Sequence, residues 1–238
     1  MKIAISVSNQ SYNDISIRYV FQEMYSPQGV IVAVECLSRF DHGSLSPEYI
    51  FRHSGVNLRE RILMEQLALI EKHHTWFIKN NVIATINIDD DTLNLLYQPT
   101  VKEKIEKLGF IHFEVNEHSR ALLDNTSLDG NNKSNSSTFW LDDFGSGYAD
   151  MNAIRNYHFD YVKIDKDFFW YLLRKDYGRQ LMDALVTFLT KNHHNVIIEG
   201  VECIAHKDWL SDMNWFAVQG HYWEEVSIEQ LTQKDVPV

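Results

Sequence analysis

Short apolar segments alternate along the chain with longer segments whose apolar residues recur at helical spacing. The short segments are rich in β-branched and aromatic residues, which favour strands. They are Ile3–Val7, Val30–Val34, Val82–Ile86, Phe110–Phe113, Thr138–Leu141, Tyr161–Ile164, Val196–Ile198 and Trp215–Val218. This alternation predicts an α/β protein in which βα units repeat around a buried, mainly parallel sheet.

The segments between the predicted strands have the apolar spacing of helices. They are Leu58–Lys72, Thr100–Lys107, Met151–Arg155, Arg179–Lys191 and His206–Met213. In Arg179–Lys191 one apolar stripe, which we expect to pack against the sheet, comprises Leu181, Leu185, Val186, Phe188 and Leu189. About eight strands alternating with helices predict a closed TIM-like (β/α)8 barrel.

The composition fits one domain. The chain has 238 residues, of which 45% are hydrophobic, so we expect a single domain over residues 1–238. Cys36 and Cys203 do not suggest a disulfide framework or a cysteine zinc site. The segment that starts at Ile3 becomes polar after Val7, and no apolar run approaches the length that crosses a bilayer. We therefore expect a cytoplasmic protein without a transmembrane segment.

The charge of the chain limits its partners. The formal net charge is -11, which disfavours binding to a long nucleic acid, because that binding depends on many Lys and Arg contacts to phosphates. A small phosphate ligand would need metal cations to reverse the sign of the local field. Asp124–Ser137 is rich in Asn, Ser and Asp, and it is predicted to be an exposed loop.

Polar side chains follow almost every predicted strand. They are Glu35, Asn87, Glu114, Asp142, Asp143, Lys163, Asp165, Glu199 and Gln219. The carboxyl ends of parallel barrel strands meet at one rim, where active sites are built. Taken singly, each acid could equally be a helix N-cap or a solvated loop residue. Taken together, several like charges in one place are costly unless a cation neutralises them, and oxygen ligands suit a hard cation.

Seven short motifs follow one another along the chain. They are Val34–Phe40, Thr85–Asp89, Phe113–Glu117, Leu141–Tyr148, Val162–Asp165, Glu199–Glu202 and Gln219–Gly220. In this order, and over nearly the whole chain, they resemble the EAL-domain family of cyclic di-GMP phosphodiesterases. The resemblance implies a TIM-like barrel with one antiparallel strand.

Three residues depart from the usual motifs of that family. Cys36 stands where alanine is usual, Asp89 where serine is usual and Asn116 where threonine is usual. None of the three removes a ligand carboxylate, so we expect metal binding to survive. Asp89 is expected to add a negative charge near the rim.

The resemblance also implies a metal site with one or two Mg²⁺ or Mn²⁺ ions. The implied metal ligands are Glu35, Asn87, Glu114, Asp142, Asp143 and Glu199. The implied catalytic residues are Lys163, Glu199 and Glu35. The alternative for Lys163 is a structural salt bridge to Asp142 or Asp165.

Other residues are assigned to the substrate and to the surroundings of the site. Arg39, Gln219 and Asp165 are expected to contact the ligand, with the guanidinium of Arg39 clamping a phosphate oxygen in two-point fashion. The alternative for Arg39 is an ordinary surface arginine. By resemblance, Glu117 anchors the loop over residues 143–150, which is expected to touch a homodimer interface, and Glu202 orients a neighbouring side chain.

Two further motif matches and the histidines do not indicate a function. Asp143-Phe144-Gly145 matches a kinase triplet, but the chain lacks the other kinase motifs. Gly145-Ser146-Gly147 lacks the third glycine of a dinucleotide fingerprint. The 11 histidines are predicted to be ordinary surface residues.

The function implied by the resemblance is hydrolysis of cyclic di-GMP to linear pGpG, which lowers the level of this second messenger. Two alternatives stay open. One is a catalytically inactive relative that senses cyclic di-GMP or binds a protein. The other is a phosphodiesterase for a different small phosphate ester.

Overall fold

The structure is a computed structural model that describes residues 16–41, 47–117, 119, 137–147, 151–157 and 159–236. The predicted strand Ile3–Val7 and the predicted loop Asp124–Ser137, apart from Ser137, lie outside these residues. Within them, no helix combines the length and apolar character needed to cross a membrane.

Eight strands close into a barrel in chain order. They are β1 (Ile17–Tyr25), β2 (Ile31–Phe40), β3 (Ile83–Ile88), β4 (Ile111–Asn116), β5 (Thr138–Phe144), β6 (Tyr161–Ile164), β7 (Asn195–Ile198) and β8 (Ala217–Val218). β1 runs antiparallel to both β2 and β8, and the other neighbouring pairs are parallel. The predicted barrel with one antiparallel strand is confirmed.

The first barrel strand is not the one that the sequence predicted. The place expected for Ile3–Val7 is taken by β1, whose apolar pattern is broken by Gln22 and Glu23. Each of these polar side chains has a distant partner. Gln22 accepts a hydrogen bond from Gln219 (2.8 Å), and the buried Glu23 forms an ion pair with Lys234 (2.7 Å). The polar residues are compatible with a strand because residues far along the chain satisfy them.

Helices connect the strands and pack around the barrel. They are α1 (Pro47–His53), α2 (Val56–Lys72), α3 (His74–Asn80), α4 (Asp90–Leu93), α5 (Pro99–Leu108), α6 (Met151–Asn156), α7 (Lys166–Leu173), α8 (Gly178–Lys191), α9 (Ile204–Trp209) and α10 (Ile228–Thr232). The five predicted helices correspond to α2, α5, α6, α8 and α9. The prediction missed α1, α3, α4, α7 and α10, each of which has eight residues or fewer.

Helix α8 buries only part of the predicted apolar stripe. Met182, Val186 and Leu189 are fully buried, whereas Leu181 is 54% exposed and Phe188 is 44% exposed. The buried residues follow the i, i+4, i+7 spacing of one helix face. The prediction that Leu181 and Phe188 pack against the sheet is therefore wrong.

The barrel interior is built in two layers. The lower layer is a buried cluster of Met24, Ala33, Trp140, Ile197 and Ala217. Side chains two residues apart on a strand share a face. The residues two positions further along β2, β5, β7 and β8 therefore stand above that cluster, and they are Glu35, Asp142, Glu199 and Gln219. The alternation thus places an apolar floor under a polar rim.

Among the described residues, His194 is buried and His112 is half-buried, which corrects the prediction that the histidines are surface residues. His112 precedes Glu114 by two residues and accepts a hydrogen bond from Trp140 Nε1 (2.8 Å). Burial lowers the pKa of His112 to about 4. The Nδ1 atom of the buried His194 lies 2.6 Å from the carbonyl oxygen of Phe159. Both residues serve the packing of the fold.

Candidate active site

Lys163 stands at the centre of the polar rim and is 1% exposed. Its Nζ atom contacts four carboxylates that come from four different strands or strand ends. The distances are 2.6 Å to Glu114, 2.8 Å to Glu199, 3.0 Å to Asp142 and 3.3 Å to Glu35. The rim therefore gathers residues that lie up to 164 positions apart, a span from Glu35 to Glu199.

Glu35 is held by three donors. Asn87 Nδ2 donates to its Oε1 (2.6 Å), while Gln219 Nε2 (2.7 Å) and Lys163 Nζ (3.3 Å) donate to its Oε2. Burial alone would raise the pKa of Glu35, but the charge of Lys163 and then the hydrogen bonds from Gln219 and Asn87 outweigh it. The pKa of Glu35 lies below its ordinary value, so this carboxylate stays charged.

The other acids of the rim have the opposite shift. Burial, followed by the charge on Glu35, raises the pKa of Glu114 well above its ordinary value. Burial also raises the pKa of Asp142, and it raises that of Glu199 to about 8. Burial would lower the pKa of Lys163, but the surrounding carboxylates outweigh it and raise this pKa well above the ordinary value. The rim therefore holds more acidic groups than its one lysine can neutralise.

Asp143 completes the acidic group from a strained backbone position. Its φ of 59° lies in the left-handed region, which non-glycine residues rarely adopt. The side-chain amide of Asn116 donates a hydrogen bond to Asp143 Oδ2. Burial, followed by the charge on Asp142, raises the pKa of Asp143 to about 7. Strand β4 thus supports an acid on the neighbouring strand β5.

The arrangement fits a divalent cation. Asp142, Asp143 and Glu199 each offer a carboxylate oxygen, and these oxygens lie within 4.8 Å of one another. Glu114 Oε1 and Gln219 Oε1 are buried acceptors that have no hydrogen-bond donor among the described residues. The atoms that could coordinate a metal are all oxygen atoms, which Mg²⁺ and Mn²⁺ prefer as ligands.

The loop after β5 is tied to β4 at a second point. The Ser146 hydroxyl donates a hydrogen bond to the Glu117 carboxylate. Glu117 is therefore in contact with the loop that it was expected to anchor. Tyr148–Asp150, the end of the expected interface loop, lies outside the described residues.

Three of the predicted site residues lie apart from the Lys163 cluster. Asp165 Oδ1 accepts a hydrogen bond from the backbone N–H of Phe168 (3.0 Å), so Asp165 caps α7. Glu202 faces His221 at 3.6 Å. Arg39 is not an open fork, because its guanidinium is paired with Glu225. A ligand-binding role for Asp165 and Arg39, and an orienting role for Glu202, stay predictions.

Asp89 does not add an unpaired negative charge near the rim. Its carboxylate caps α4 and lies 2.8 Å from Arg59 Nη1. Burial would raise the pKa of Asp89, but the hydrogen bonds from Arg59 and Thr92 outweigh burial and lower it. The predicted negative charge is present and is paired with Arg59, whose Nη1 atom also lies 2.8 Å from Asp91 Oδ2.

Two cavities flank the rim. The larger, of about 410 Å³, extends from Asp142 and Asp143 to an outer wall formed by α1, α2 and the start of α4. Its walls include the apolar side chains of Phe51, Ile62 and Leu63 together with Arg39 and Arg59. The smaller, of about 150 Å³, lies beside Glu199 and Gln219 and is lined by Trp170 and Lys166.

The sequence did not single out Arg59, Phe51, Trp170 or Glu225 as residues beside the site. Arg59 and Phe51 lie on helices, where a polar or an aromatic residue has an ordinary structural explanation. Only their position beside the rim distinguishes them.

The comparisons with known proteins agree with this architecture. The family model described as the EAL domain matches residues 8–225. The chain is 32% identical over 212 residues to cyclic di-GMP phosphodiesterase PdeH of Escherichia coli (strain K12), covering 86% of this chain and 81% of PdeH. It is 25% identical over 174 residues to the anti-FlhC(2)FlhD(4) factor YdiV of Salmonella typhimurium (strain LT2), covering 71% of this chain and 73% of YdiV.

Solved structures share the fold. The crystal structure of the EAL-like protein YdiV superposes with a TM-score of 0.79 at 21% identity, covering 92% of this chain and 96% of YdiV. A standalone EAL protein from Vibrio cholerae O395 in its c-di-GMP-bound form gives a TM-score of 0.72 at 20% identity, covering 93% of this chain and 99% of that protein. The barrel, its acidic rim and the match over residues 8–225 together place the chain in the EAL domain family.

Proposed function

We propose that this protein is a metal-dependent phosphodiesterase that hydrolyses cyclic di-GMP to linear pGpG and so lowers the level of the second messenger. The observation that carries the proposal is the contact of Lys163 with Glu35, Glu114, Asp142 and Glu199. The similarity to PdeH, which is named a cyclic di-GMP phosphodiesterase, supports the choice of substrate.

The side chains divide the work of such a reaction. Asp142, Asp143 and Glu199 would hold the cation, with Glu35, Glu114 and Asn87 beside them. A bound Mg²⁺ or Mn²⁺ would neutralise charge that develops on the phosphoryl oxygens and lower the pKa of a water molecule. Lys163 stays protonated among the carboxylates, so it would stabilise negative charge rather than accept a proton.

The two cavities suit a ligand with two bases joined by phosphates. The rim lies between the larger cavity, which has apolar walls, and the smaller one, which contains Trp170. A ring phosphate placed over Asp142 and Glu199 would leave space on both sides for a planar base. The net charge of -11 would oppose an anionic ligand, which makes the cation part of substrate binding as well as of chemistry.

A catalytically inactive regulator is the second candidate. The resemblance to YdiV, which is named an anti-FlhC(2)FlhD(4) factor, favours it. Against it stands the complete set of expected ligands in this chain, since inactive relatives are expected to lack several of them. Retention of Glu35, Asn87, Glu114, Asp142, Asp143, Lys163, Glu199 and Gln219 therefore makes hydrolysis our choice.

The test is incubation of the purified protein with cyclic di-GMP and Mg²⁺ or Mn²⁺, followed by chromatography of the products. We expect linear pGpG to form, and we expect a chelator to abolish it. Glu35→Gln should remove turnover while the fold is kept, whereas Glu103→Gln, a matched change at an exposed site on α5, should not. Binding of cyclic di-GMP without turnover would favour the inactive regulator. If the protein neither binds nor hydrolyses cyclic di-GMP, this nucleotide is not its ligand in either role.

We also propose that the protein forms a homodimer, as the family resemblance implies through the loop after β5. The contact between Ser146 and Glu117 would transmit the position of that loop to β4. Analytical ultracentrifugation across the concentrations used for activity checks this, because an active monomer would contradict it.

A further inference from the structure

Glu225 occupies the guanidinium fork of Arg39. The Nε atom of Arg39 donates to Glu225 Oε2 at 3.1 Å, and Nη2 donates to Oε1 of the same carboxylate. The third nitrogen, Nη1, donates to the carbonyl oxygen of Ser38 (3.1 Å). This two-point geometry is also the one with which an arginine holds a phosphate.

The backbone fixes Glu225 in this position. The neighbouring residue Val226 forms two hydrogen bonds with Phe21 of β1, at 2.8 Å and 3.0 Å. Ser227, the next residue, caps α10 through a reciprocal pair of hydrogen bonds with Gln230. Because hydrogen bonds hold Val226 and Ser227 in place, the Glu225 carboxylate lies at the end of β2, next to Arg39.

Arg39 is within reach of a ligand on the rim. It lines the larger cavity together with Asn87, Asp142 and Asp143. Its side chain is 28% exposed and that of Glu225 is 26% exposed, so the pair is open to water and to solutes. An ion pair in such a place is weak enough for a stronger anion to replace the carboxylate.

We propose that Glu225 is an internal competitor of the ligand phosphate for Arg39, and that it sets the affinity of the site for anionic ligands. The inference rests on the proposed function in one respect, which is that the ligand carries a phosphate over the rim. When that phosphate arrives, it takes the fork of Arg39 and Glu225 is released to solvent. Glu225 thereby lowers the affinity for the nucleotide, since each binding event must break the pair.

A positioning role for Glu225 predicts the opposite change in affinity from a competing role. If Glu225 only oriented Arg39 for the phosphate, its neutralisation would weaken binding. If Glu225 competes, its neutralisation tightens binding. One measurement of affinity therefore separates the two roles.

The experiment is calorimetric titration of cyclic di-GMP into the wild type, Glu225→Gln, Arg39→Ala and the double variant in the presence of Ca²⁺, a hard cation that binds oxygen ligands, with chromatography after each titration to verify that the nucleotide is intact. We expect Glu225→Gln to bind about two- to fivefold more tightly than the wild type, because a partly exposed ion pair contributes up to about 1 kcal/mol. Glu224→Gln, at the adjacent and exposed acid, removes the same charge and should change the affinity less. In the Arg39→Ala background the gain from Glu225→Gln should disappear.

Unchanged or weaker binding by Glu225→Gln would overturn the proposal, as would a gain that persists without Arg39. The absence of binding in all variants would overturn it as well. The separate hydrolysis assay in Mg²⁺ or Mn²⁺ keeps the two proposals apart. If Glu225→Gln binds more tightly but the wild type does not hydrolyse cyclic di-GMP, only the proposed enzymatic activity is wrong. If the wild type hydrolyses cyclic di-GMP but Glu225→Gln does not change the affinity, only the proposed competition by Glu225 is wrong.

Discussion

Lys163 and Glu114 form a fully buried ion pair, with 2.6 Å between Lys163 Nζ and Glu114 Oε2. The pair does not stand alone, because the same ammonium group faces three further carboxylates. Removing one partner of a buried pair leaves the other charge uncompensated. The stability of the barrel and the charge of its site therefore depend on the same lysine.

Replacement of Lys163 by Met should destabilise the protein strongly. The change leaves buried acids without their cation, and a buried pair broken in this way typically costs about 3–5 kcal/mol of unfolding free energy. Urea unfolding in the presence of chelator measures the loss. Lys191→Met, at the exposed end of α8, is the control and should stay within about 0.5 kcal/mol of the wild type. A loss below about 1 kcal/mol for Lys163→Met would contradict the buried cluster.

Divalent cations should stabilise the folded protein through Asp142. At a Mn²⁺ concentration of about 100 Kd, a single site adds about 2.7 kcal/mol to the unfolding free energy. We expect Asp142→Asn to lose most of this gain at the same concentration, because it removes a ligand charge. Asp183→Asn, on the exposed face of α8, should keep the gain. Thermal unfolding with and without Mn²⁺ gives the comparison, and an equal shift in all three proteins would remove Asp142 from the cation site.

Asn116 should act on cation binding through Asp143. Its side-chain amide holds the Asp143 carboxylate, and loss of such a supporting hydrogen bond typically costs about 10–100-fold in metal affinity. Asn116→Ala should show this loss in a Mn²⁺ titration. Asn116→Asp has a side chain of the same shape, and its Mn²⁺ affinity should be at least as low as that of Asn116→Ala, because two carboxylates would then face each other. Wild-type affinity in both variants would mean that Asp143 needs no support from β4.

His112 should make the stability of the protein depend on pH. Its folded pKa of about 4 lies below the ordinary value of 6.5, so the unfolded chain binds a proton between these values that the folded protein does not. The contribution of His112 is therefore complete above about pH 6.5 and is lost as the pH falls toward 4. Between pH 7 and pH 5 it amounts to about 1–2 kcal/mol.

His112→Gln checks this dependence. A glutamine oxygen can still accept the hydrogen bond from Trp140, but the side chain does not titrate. Urea unfolding at pH 7 and pH 5 should therefore show a smaller fall in stability for the variant than for the wild type. An identical fall would assign the pH dependence to the carboxylates alone.

The sequence predicted the rim better than it predicted the barrel wall. Glu35, Glu114, Asp142 and Glu199 each follow an apolar segment that was predicted to be a strand, and the parallel topology is enough to bring these positions to one rim. Strand β1 was missed because Gln22 and Glu23 interrupt its apolar run. Their partners Gln219 and Lys234 are 197 and 211 positions away, and local pattern carries no information about such contacts.

Arg39 shows the same limit at the site itself. Its place four residues after Glu35 was visible in the sequence, and so was its capacity to hold a phosphate. The carboxylate that occupies its fork, Glu225, lies 186 positions away and follows no predicted strand. For α8, Met182 rather than Leu181 proved to face the barrel, because the exact rotation of a helix depends on what it packs against.

The antiparallel direction of β1 determines where a spectroscopic reporter would be informative. Because β1 runs against β2, Gln22 pairs with Glu35 at the level of the rim, and the first residue of β1, Ile17, pairs with Phe40 beyond the rim and next to Arg39. A fluorophore attached at Ser16 would stand at the mouth of the site and report ligand arrival. A fluorophore attached near Tyr25, at the other end of the same strand, would stand beside Ile31, where β2 begins. The two ends of β1 thus offer a position for the probe and a position for its reference.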